Sequence, residues 1–171
     1  MGIVRSIRGA DRSTRRSKRG QLSASFVGLR PASPKASRLA ATASRKRATR
    51  CEVKLRRSIK KLGLRFTTNV SSLPGCPDLV FSHEKVAVFA DGDFWHGRNL
   101  AKRLRSLSRG HNSDYWIRKI RSNVSRDRRV RRQLEALGWH VVRVWESEID
   151  FEIDRATGRI LDAVMATDRT L

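Results

Sequence analysis

Short apolar runs separated by polar turns predict the strands of this chain. Leu64 to Thr67 has the composition of a first strand, and Leu79 to Phe81, entered by Asp78, that of a second. Val86 to Ala90 is apolar at every position, which is typical of a central strand covered on both faces. Trp139 to Trp145 alternates and is apolar enough to predict a further strand.

Helical spacing of apolar residues flanks these strands. A first helix is expected from about Ser37 to Leu62, where Gly63 takes the position of a C-terminal cap. Residues 113–137 predict the longest helix, which Gly138 ends, and about Ser147 to Met165 predicts a last amphipathic helix. The order is helix, three strands, helix, strand, helix, and it indicates an α/β sandwich with a mixed sheet flanked by helices.

The helical stripes and one intervening segment complete this picture. In the first helix the spacing is clearest at Val53, Arg56, Ile59 and Leu62. In the longest helix the residues expected on one inward face are Trp116, Ile120, Val124, Asp127, Leu134 and Leu137. Between the third strand and this helix, residues 97–112 have the composition of a polar, basic loop.

The charge of the chain points to a polyanionic partner. The 171 residues contain 38 Lys and Arg against 16 Asp and Glu, a formal net charge of +22. That excess is far beyond what solubility requires and favours nucleic acid, with a membrane surface or ribosomal packing as alternatives. Residues 1–38 are basic and poor in apolar side chains, so a disordered arm is expected there, followed by one domain at 39–171. The arm is a solvated tail, or it follows DNA phosphates, or both.

The cysteines and the absence of long apolar runs indicate a compartment. Cys51 and Cys76 are too few for a disulfide framework and suit a reducing cytoplasm. No run approaches the roughly 18 apolar residues of a membrane span, and none has the form of a signal peptide. The expected location is the cytoplasm, in association with the nucleoid, with no membrane partner.

Polar residues beside the two central strands are candidates for catalysis. Asp78 follows Pro77, and it is either a turn cap or a Mg²⁺ ligand, because magnesium requires one or two carboxylates completed by water and phosphate oxygens. Asp127 needs a partner, either His96, whose second ring nitrogen would then be a better base, or a neighbouring arginine. Glu52 lies near a helix start, where capping alone explains an acid. Three aromatic residues belong either to the core or to a surface that stacks on bases: Phe94, Trp95 and Trp116.

Three long motifs resemble those of one enzyme family. The very-short-patch repair (Vsr) DNA mismatch endonucleases carry motifs similar to LPGCPDLVF, VAVFADGDFWHGR and YWIRKIRSNVSRDRRVRRQLEALGWHVVRVWESEI, which span roughly Ser37 to Ile149. The resemblance implies a three-layer fold like that of the PD-(D/E)XK restriction endonucleases. It also implies Mg²⁺-dependent nicking of one DNA strand beside a T:G mismatch left by deamination of 5-methylcytosine.

The same resemblance implies roles for individual residues. Asp78 resembles the family's metal-binding aspartate, with the Ala90 carbonyl as a second ligand. His96 resembles the histidine that activates water, Asp127 the acid that orients it, and Glu52 an acid near the metal-bound waters. The aromatics implied to wedge into the duplex are Phe94, Trp95 and Trp116. Further candidates for DNA contact are Arg98, Lys119 and Asn123.

The chain departs from the family at two places. The positions that hold a structural zinc in some members are occupied here by Asp93, Arg98, Leu100 and Ser147. We therefore predict no zinc, and we expect the 97–112 loop to be held by packing or by DNA. Asp91 stands where some members carry histidine, and it predicts a second carboxylate ligand, as in restriction enzymes, with a less strict requirement for the mismatch.

The leading interpretation is a Mg²⁺-dependent endonuclease that nicks double-stranded DNA at a T:G mismatch and works as a monomer. The expected partners besides DNA are mismatch-repair proteins and a cognate DNA cytosine methyltransferase. One alternative is a related nuclease of a restriction or phage-defence system, with looser substrate choice. The other is a non-catalytic basic protein that coats nucleic acid.

Overall fold

A four-stranded mixed sheet forms the centre of the molecule, whose computed structural model describes residues 49–110 and 112–168. Its strands are β1 (Thr67–Thr68), β2 (Leu79–Phe81), β3 (Val86–Asp91) and β4 (His140–Trp145), in that spatial order. The first three are antiparallel, whereas β4 runs parallel to β3. The predicted central strand is confirmed, because β3 is paired on both sides and is buried at every position except Ala90.

Five helices accompany the sheet in the described part of the chain. They are α1 (Arg50–Lys61), α2 (Leu100–Leu107), α3 (Ser113–Ala136), α4 (Glu146–Phe151) and α5 (Ile153–Asp168). The parallel connection from β3 to β4 runs through α2 and α3. None of the helices in these residues is long and apolar enough to cross a membrane.

The helices cover both faces of the sheet and give a three-layer α/β fold, as predicted. Alternate side chains of the central strands point to opposite faces. On one face Val86 and Val88 pack with residues of α1, α4 and α5, including Leu55, Ile149 and Ile160. On the other face a smaller core joins the sheet to α3, through Ala87, Phe89, Val130, Leu134 and Val141.

Two predicted boundaries, those of the first helix and the first strand, are wrong. α1 begins at Arg50 after an extended Thr49, so it does not start at about Ser37 as predicted, and residues 37–48 lie outside the described part of the chain. Its buried face is Cys51, Leu55 and Ile59, so Val53 and Leu62 are not core residues, and Leu62 is 47% exposed. The first strand is shorter and later than predicted, and both of its residues are exposed. The predicted basic arm, residues 1–38, and the first part of the 39–171 domain lie outside the described residues.

Two predicted helical assignments also need correction. The segment predicted as a loop contains α2, with leucines at positions 100, 104 and 107 on one side. The last helix is two helices, because Glu152 leaves the helical conformation and its carbonyl accepts the bond from Ala156 that starts α5. In α3 the buried residues are Tyr115, Ile120, Val130 and Leu134, whereas the predicted Leu137 is exposed.

Candidate active site

The candidate catalytic side chains meet in a cavity of about 390 Å³ on the α3 face of the sheet. Five different parts of the fold supply them, and the polar side chains lining the cavity include Asp78, Asp91, His96, Asp127 and Arg143. The first four were predicted from the sequence, and the structure brings them together. Two larger grooves, of about 530 and 610 Å³, are separate from this cavity, and neither is lined by a comparable set of acids with a histidine.

Asp78 is held by a backbone hydrogen bond, and no cationic side chain in the described part of the chain contacts it. The N–H of Ala90 donates to its Oδ2 at 2.8 Å, so the side chain is bonded across to β3 rather than to its own turn. Burial first, and then the negative charges of Glu52 and Asp91, raise the pKa of Asp78 to about 6, although the Ala90 hydrogen bond and the charge of Arg56 act in the opposite direction. Among the described residues no Lys, Arg or His nitrogen lies within 4 Å of it. The carboxylate is therefore placed where an added cation would be stabilised.

His96 and Asp127 form a close pair in the same cavity. Nδ1 of His96 lies 2.7 Å from Oδ2 of Asp127, which leaves Nε2 as the nitrogen able to accept a proton. Gly97, directly after the histidine, has φ of +71°, and a Cβ there would lie 2.8 Å from Cγ2 of Val124. Glycine thus permits the close approach of this turn to α3 that the pair requires.

Asp127 is partnered by arginine as well as by histidine, so both partners considered from the sequence are present. Nη2 of Arg126 lies 3.3 Å from Oδ1, and Nη1 of Arg143 lies 3.4 Å from Oδ2. Burial alone raises the pKa of Asp127, but the hydrogen bond and charge of His96, followed by the two arginines, outweigh it, and the pKa is lowered. The acid is therefore ionised when it orients His96.

Arg143 is a site residue that the sequence analysis missed. Its Nη1 lies 2.6 Å from Oδ2 of Asp91, and its guanidinium carbon lies 4.7 Å from the centre of the Phe89 ring. The available signal was a single charged residue within the apolar part of β4, at a position paired with Phe89 in the parallel register. A charge in a covered strand needs a partner, and Asp91 provides it.

Asp91, predicted as a metal ligand, lies deep in the site. Its side chain is only 4% exposed, and its Oδ1 lies 3.5 Å from Nδ1 of His96. Burial raises the pKa of Asp91, while the charges of His96 and Arg143 act in the opposite direction. Its environment is thus unlike that of Asp78, since the guanidinium of Arg143 and the imidazole of His96 already contact it.

Glu52 occupies the first turn of α1 and does not line the cavity. The Thr49 hydroxyl donates to its Oε1 at 3.0 Å, and its own N–H donates weakly to that hydroxyl at 3.4 Å. Nη2 of Arg56 lies 3.3 Å from the other oxygen. The structure therefore places Glu52 in the capping arrangement, near enough to raise the pKa of Asp78 through its charge.

A polar clamp joins the segment after β3 to the start of α4, whereas the sequence predicted that packing or DNA would hold the 97–112 loop. Asp93 accepts hydrogen bonds from the N–H and the hydroxyl of Ser147, at 3.1 and 3.0 Å, and from Nη1 of Arg98 at 3.2 Å. These residues stand at three of the four positions that the family resemblance assigns to zinc. Arg98, predicted to contact DNA, is thus engaged within the protein, and its guanidinium also lies 5.8 Å from the Trp145 ring.

The predicted wedge residues form one aromatic cluster beside the site. Phe94, Trp95 and Trp116 contact one another with ring centres 5.0 to 5.9 Å apart, and Trp95 is 37% exposed. Asn123, a predicted DNA contact, instead donates from Nδ2 to the Trp95 carbonyl at 3.0 Å. Lys119 is half-buried on the same helix. The aromatic segment is therefore anchored to α3 through its backbone and leaves the Trp95 ring accessible.

A basic groove between α2 and α3 lies next to the site. It has a volume of about 610 Å³ and is lined by Arg121, Arg128, Arg131 and Arg132, with Leu100 and Val124 at its base. Val124 also packs near Gly97, which connects this groove to the turn that carries His96. The sequence alone could have predicted this basic surface, because positions 121, 125, 128 and 132 share one face of a helix and three of them are arginine.

The donor set of the cavity fits Mg²⁺ better than a metal that needs several protein ligands. Among the described residues no group of three or more His, Cys, Asp or Glu side chains is arranged to hold a metal ion. Magnesium is commonly bound by one or two carboxylates, with waters and substrate phosphate oxygens completing its shell. Asp78, with its raised pKa and no cationic partner in the described residues, meets that requirement.

Comparison with known proteins places these residues in a family context. Residues 33–102 match the family model described as DNA mismatch endonuclease Vsr. A type II nicking enzyme of Lentzea aerocolonigenes is 37% identical over 161 residues, which cover 91% of this chain and 92% of that protein. A type II nicking enzyme of Neisseria meningitidis serogroup C is 38% identical over 106 residues, 62% of this chain and 70% of the relative. The DNA mismatch endonuclease Vsr of Escherichia coli is 37% identical over 100 residues, 58% of this chain and 62% of that protein.

Proposed function

Because the chain belongs to the Vsr family of DNA mismatch endonucleases, we propose that it nicks one strand of duplex DNA beside a T:G mismatch, with Mg²⁺ bound at Asp78. It is a DNA endonuclease, so the alternative of a non-catalytic basic protein is set aside. The observation that carries the finer proposal is the pairing of His96 with Asp127 at 2.7 Å in the cavity that also contains Asp78.

The proposed chemistry is hydrolysis of one phosphodiester bond. His96 takes a proton from water through Nε2, the water oxygen bonds to phosphorus, and one ester P–O bond breaks. Asp127 fixes the ring orientation of His96 and stabilises the imidazolium that forms. Mg²⁺, when bound by Asp78 and the Ala90 carbonyl, supplies positive charge to the phosphate and leaving oxygens. The leaving oxygen ends protonated by solvent.

Recognition of the mismatch is assigned to the aromatic cluster. Opening a base step costs a few kcal/mol and costs least at a mismatch, so an inserted ring favours mismatched DNA. Trp95 is the exposed member of the cluster and lies next to the catalytic histidine in the chain. The basic groove supplies contacts with phosphates outside the reacting base pair.

The cellular setting is proposed on the same basis. A nuclease of this kind acts on chromosomal DNA in the cytoplasm, as a monomer, since a single nick needs one site. A cytosine methyltransferase that generates the deamination-prone base, and mismatch-repair proteins that process the nick, are the proposed partners.

A second candidate is a nicking enzyme of a restriction or defence system with looser substrate choice. The names of two relatives describe nicking enzymes without mention of a mismatch. Asp91, at a position where the family resemblance implies histidine, is a chain-specific difference inside the site.

The deciding experiment is strand-resolved nicking of matched and T:G duplexes with Mg²⁺, using wild type and Asp78→Ala. We expect one cut strand in the T:G duplex, little cutting of matched DNA, and no product from Asp78→Ala. Equal rates on the two duplexes would favour the second candidate. Equal nicking by wild type and Asp78→Ala would exclude the proposed metal site.

A further inference from the structure

The guanidinium of Arg143 joins the two carboxylates that flank His96. Its Nη1 lies 2.6 Å from Oδ2 of Asp91 and 3.4 Å from Oδ2 of Asp127. The same Asp127 oxygen lies 2.7 Å from Nδ1 of His96, and the other oxygen of Asp91 lies 3.5 Å from that nitrogen. The four side chains form a closed ring of polar contacts, so the position of each depends on the others.

Arg143 is itself fixed by its surroundings. It lies on β4 opposite Phe89, whose ring faces the guanidinium at 4.7 Å. Its Nε is buried and has no hydrogen-bond partner among the described residues. A largely buried cation is tolerated only when strong contacts compensate for its lost hydration, and Asp91 and Asp127 supply them to Arg143, whose side chain is 20% exposed.

This arrangement changes the role open to Asp91. A charge-assisted hydrogen bond of 2.6 Å already occupies its Oδ2, and a metal ion there would lie beside the guanidinium. Asp78 differs, because no cation contacts it in the described part of the chain. The two carboxylates are therefore not equivalent as ligands.

We propose that Arg143 is a positioning residue that withdraws Asp91 from metal binding and uses it, together with Asp127, to orient His96. The proposal rests on the proposed function, since the orientation of His96 matters only where it activates water. It replaces the two-carboxylate metal site predicted from the sequence with a site that has one carboxylate ligand.

The first test is calorimetric titration of the full chain with Mg²⁺ in the absence of DNA. Asp91→Asn alone should change the Mg²⁺ dissociation constant by less than about threefold, because Asp91 is not a ligand. Arg143→Met should tighten Mg²⁺ binding by about tenfold, because it frees Asp91 to become a second carboxylate ligand. The double variant should return to about the wild-type affinity, so the two substitutions are coupled rather than additive.

The second test is single-turnover nicking at saturating DNA and Mg²⁺. Arg143→Met should lower the rate by about 10- to 100-fold, because Asp127 and His96 lose their fixed geometry, with DNA affinity unchanged. Arg143→Lys keeps the positive charge and should recover part of the rate. The matched control is Arg159→Met, which removes an arginine that contacts the Arg143 carbonyl and Glu148 but none of the site carboxylates. It should retain both Mg²⁺ affinity and rate.

Each result separates this inference from the proposed function. Tenfold weaker Mg²⁺ binding in Asp91→Asn, or equal affinity in wild type and Arg143→Met, would overturn the role of Arg143 alone. No Mg²⁺ binding by wild type would overturn the proposed metal site, and this inference with it. If Arg143→Met is too unstable to titrate, the single Asp91→Asn variant still decides whether Asp91 is a ligand.

Discussion

Asp78 and Asp127 face the same cavity, yet their surroundings are opposite. Asp78 is half-buried near other acids and has no cation within contact among the described residues, and its pKa is raised to about 6. Asp127 contacts one histidine and two arginines, and its pKa is lowered. The difference indicates a division of roles. The carboxylate of Asp78 is available to bind a metal ion, whereas the charge of Asp127 orients the base His96.

Removal of the base should produce the largest effect. His96→Ala should lower the single-turnover nicking rate by about 10³-fold, because a positioned general base contributes on the order of 10² to 10⁴. Mg²⁺ affinity should be unchanged, since Asp78 remains. Quenched-flow analysis of nicked product measures the rate. His83→Ala, at an exposed histidine on the β2–β3 turn, is the control and should be fully active. A nicking rate of His96→Ala within tenfold of the wild-type rate would show that His96 is not the general base.

A substitution in the aromatic cluster should leave both the Asp78 metal site and the His96–Asp127 pair intact and should change the preference for mismatched over matched DNA. Trp95→Ala should weaken binding to a T:G duplex by roughly tenfold, with a much smaller effect on matched DNA, because stacking of one ring contributes about 1–3 kcal/mol. Fluorescence anisotropy with both duplexes measures this. Phe151→Ala, which removes a ring that is 86% exposed and distant in sequence, is the control. Equal weakening on the two duplexes would contradict the wedge.

Substitutions in the basic groove should alter affinity without altering chemistry. Replacement of Arg128 and Arg132 by alanine should reduce the slope of log affinity against log salt concentration by about 1.8, which corresponds to two phosphate contacts. The saturated nicking rate should stay at the wild-type value, because neither residue lines the catalytic cavity. Arg155→Ala, an exposed arginine paired with Glu152, is the control for general charge loss. An unchanged slope would show that the groove is solvated when DNA binds.

The smallest effect concerns stability. The pKa of Asp78 is raised from 3.8 to about 6 on folding, so the folded protein holds this proton more tightly and its free energy of unfolding falls as pH rises through that window. Asp78→Asn removes the penalty. Without metal, the variant should be more stable than wild type at about pH 7.5, by on the order of 1 kcal/mol, and the gain should shrink toward pH 4. Urea denaturation with a chelator present measures it. A stability difference independent of pH would contradict the unpaired state of this carboxylate.

Most of the strands and catalytic residues could be predicted from local sequence. The contacts that could not be predicted join segments that are distant in the chain. The strands β2, β3 and β4 follow from apolar runs, and Asp78, His96 and Asp127 lie in motifs long enough to indicate a family. The contact of Arg143 with Asp91 requires the parallel register of β3 and β4 across 52 positions of chain.

Other errors have the same origin. The Asp93 clamp joins residues 54 positions apart, and although the family resemblance assigns both to one zinc site, nothing in either segment indicates that they hydrogen-bond directly. By contrast, α2 was missed although leucines at positions 100, 104 and 107 have helical spacing, because arginine and lysine between them resemble a loop composition. The exposed end of α3 was overextended because Leu137 continues the apolar stripe beyond the sheet that would cover it.

The division of roles between Asp78 and Asp127 is tested most directly by measuring Mg²⁺ binding to two variants that are both expected to be inactive. Calorimetric titration should show that Asp78→Asn weakens Mg²⁺ binding by about tenfold or more, because the carboxylate ligand is lost. Asp127→Asn should bind Mg²⁺ within about threefold of wild type, because its carboxylate serves His96 rather than the metal. Equal loss of Mg²⁺ binding in both variants, or wild-type affinity in Asp78→Asn, would contradict the account.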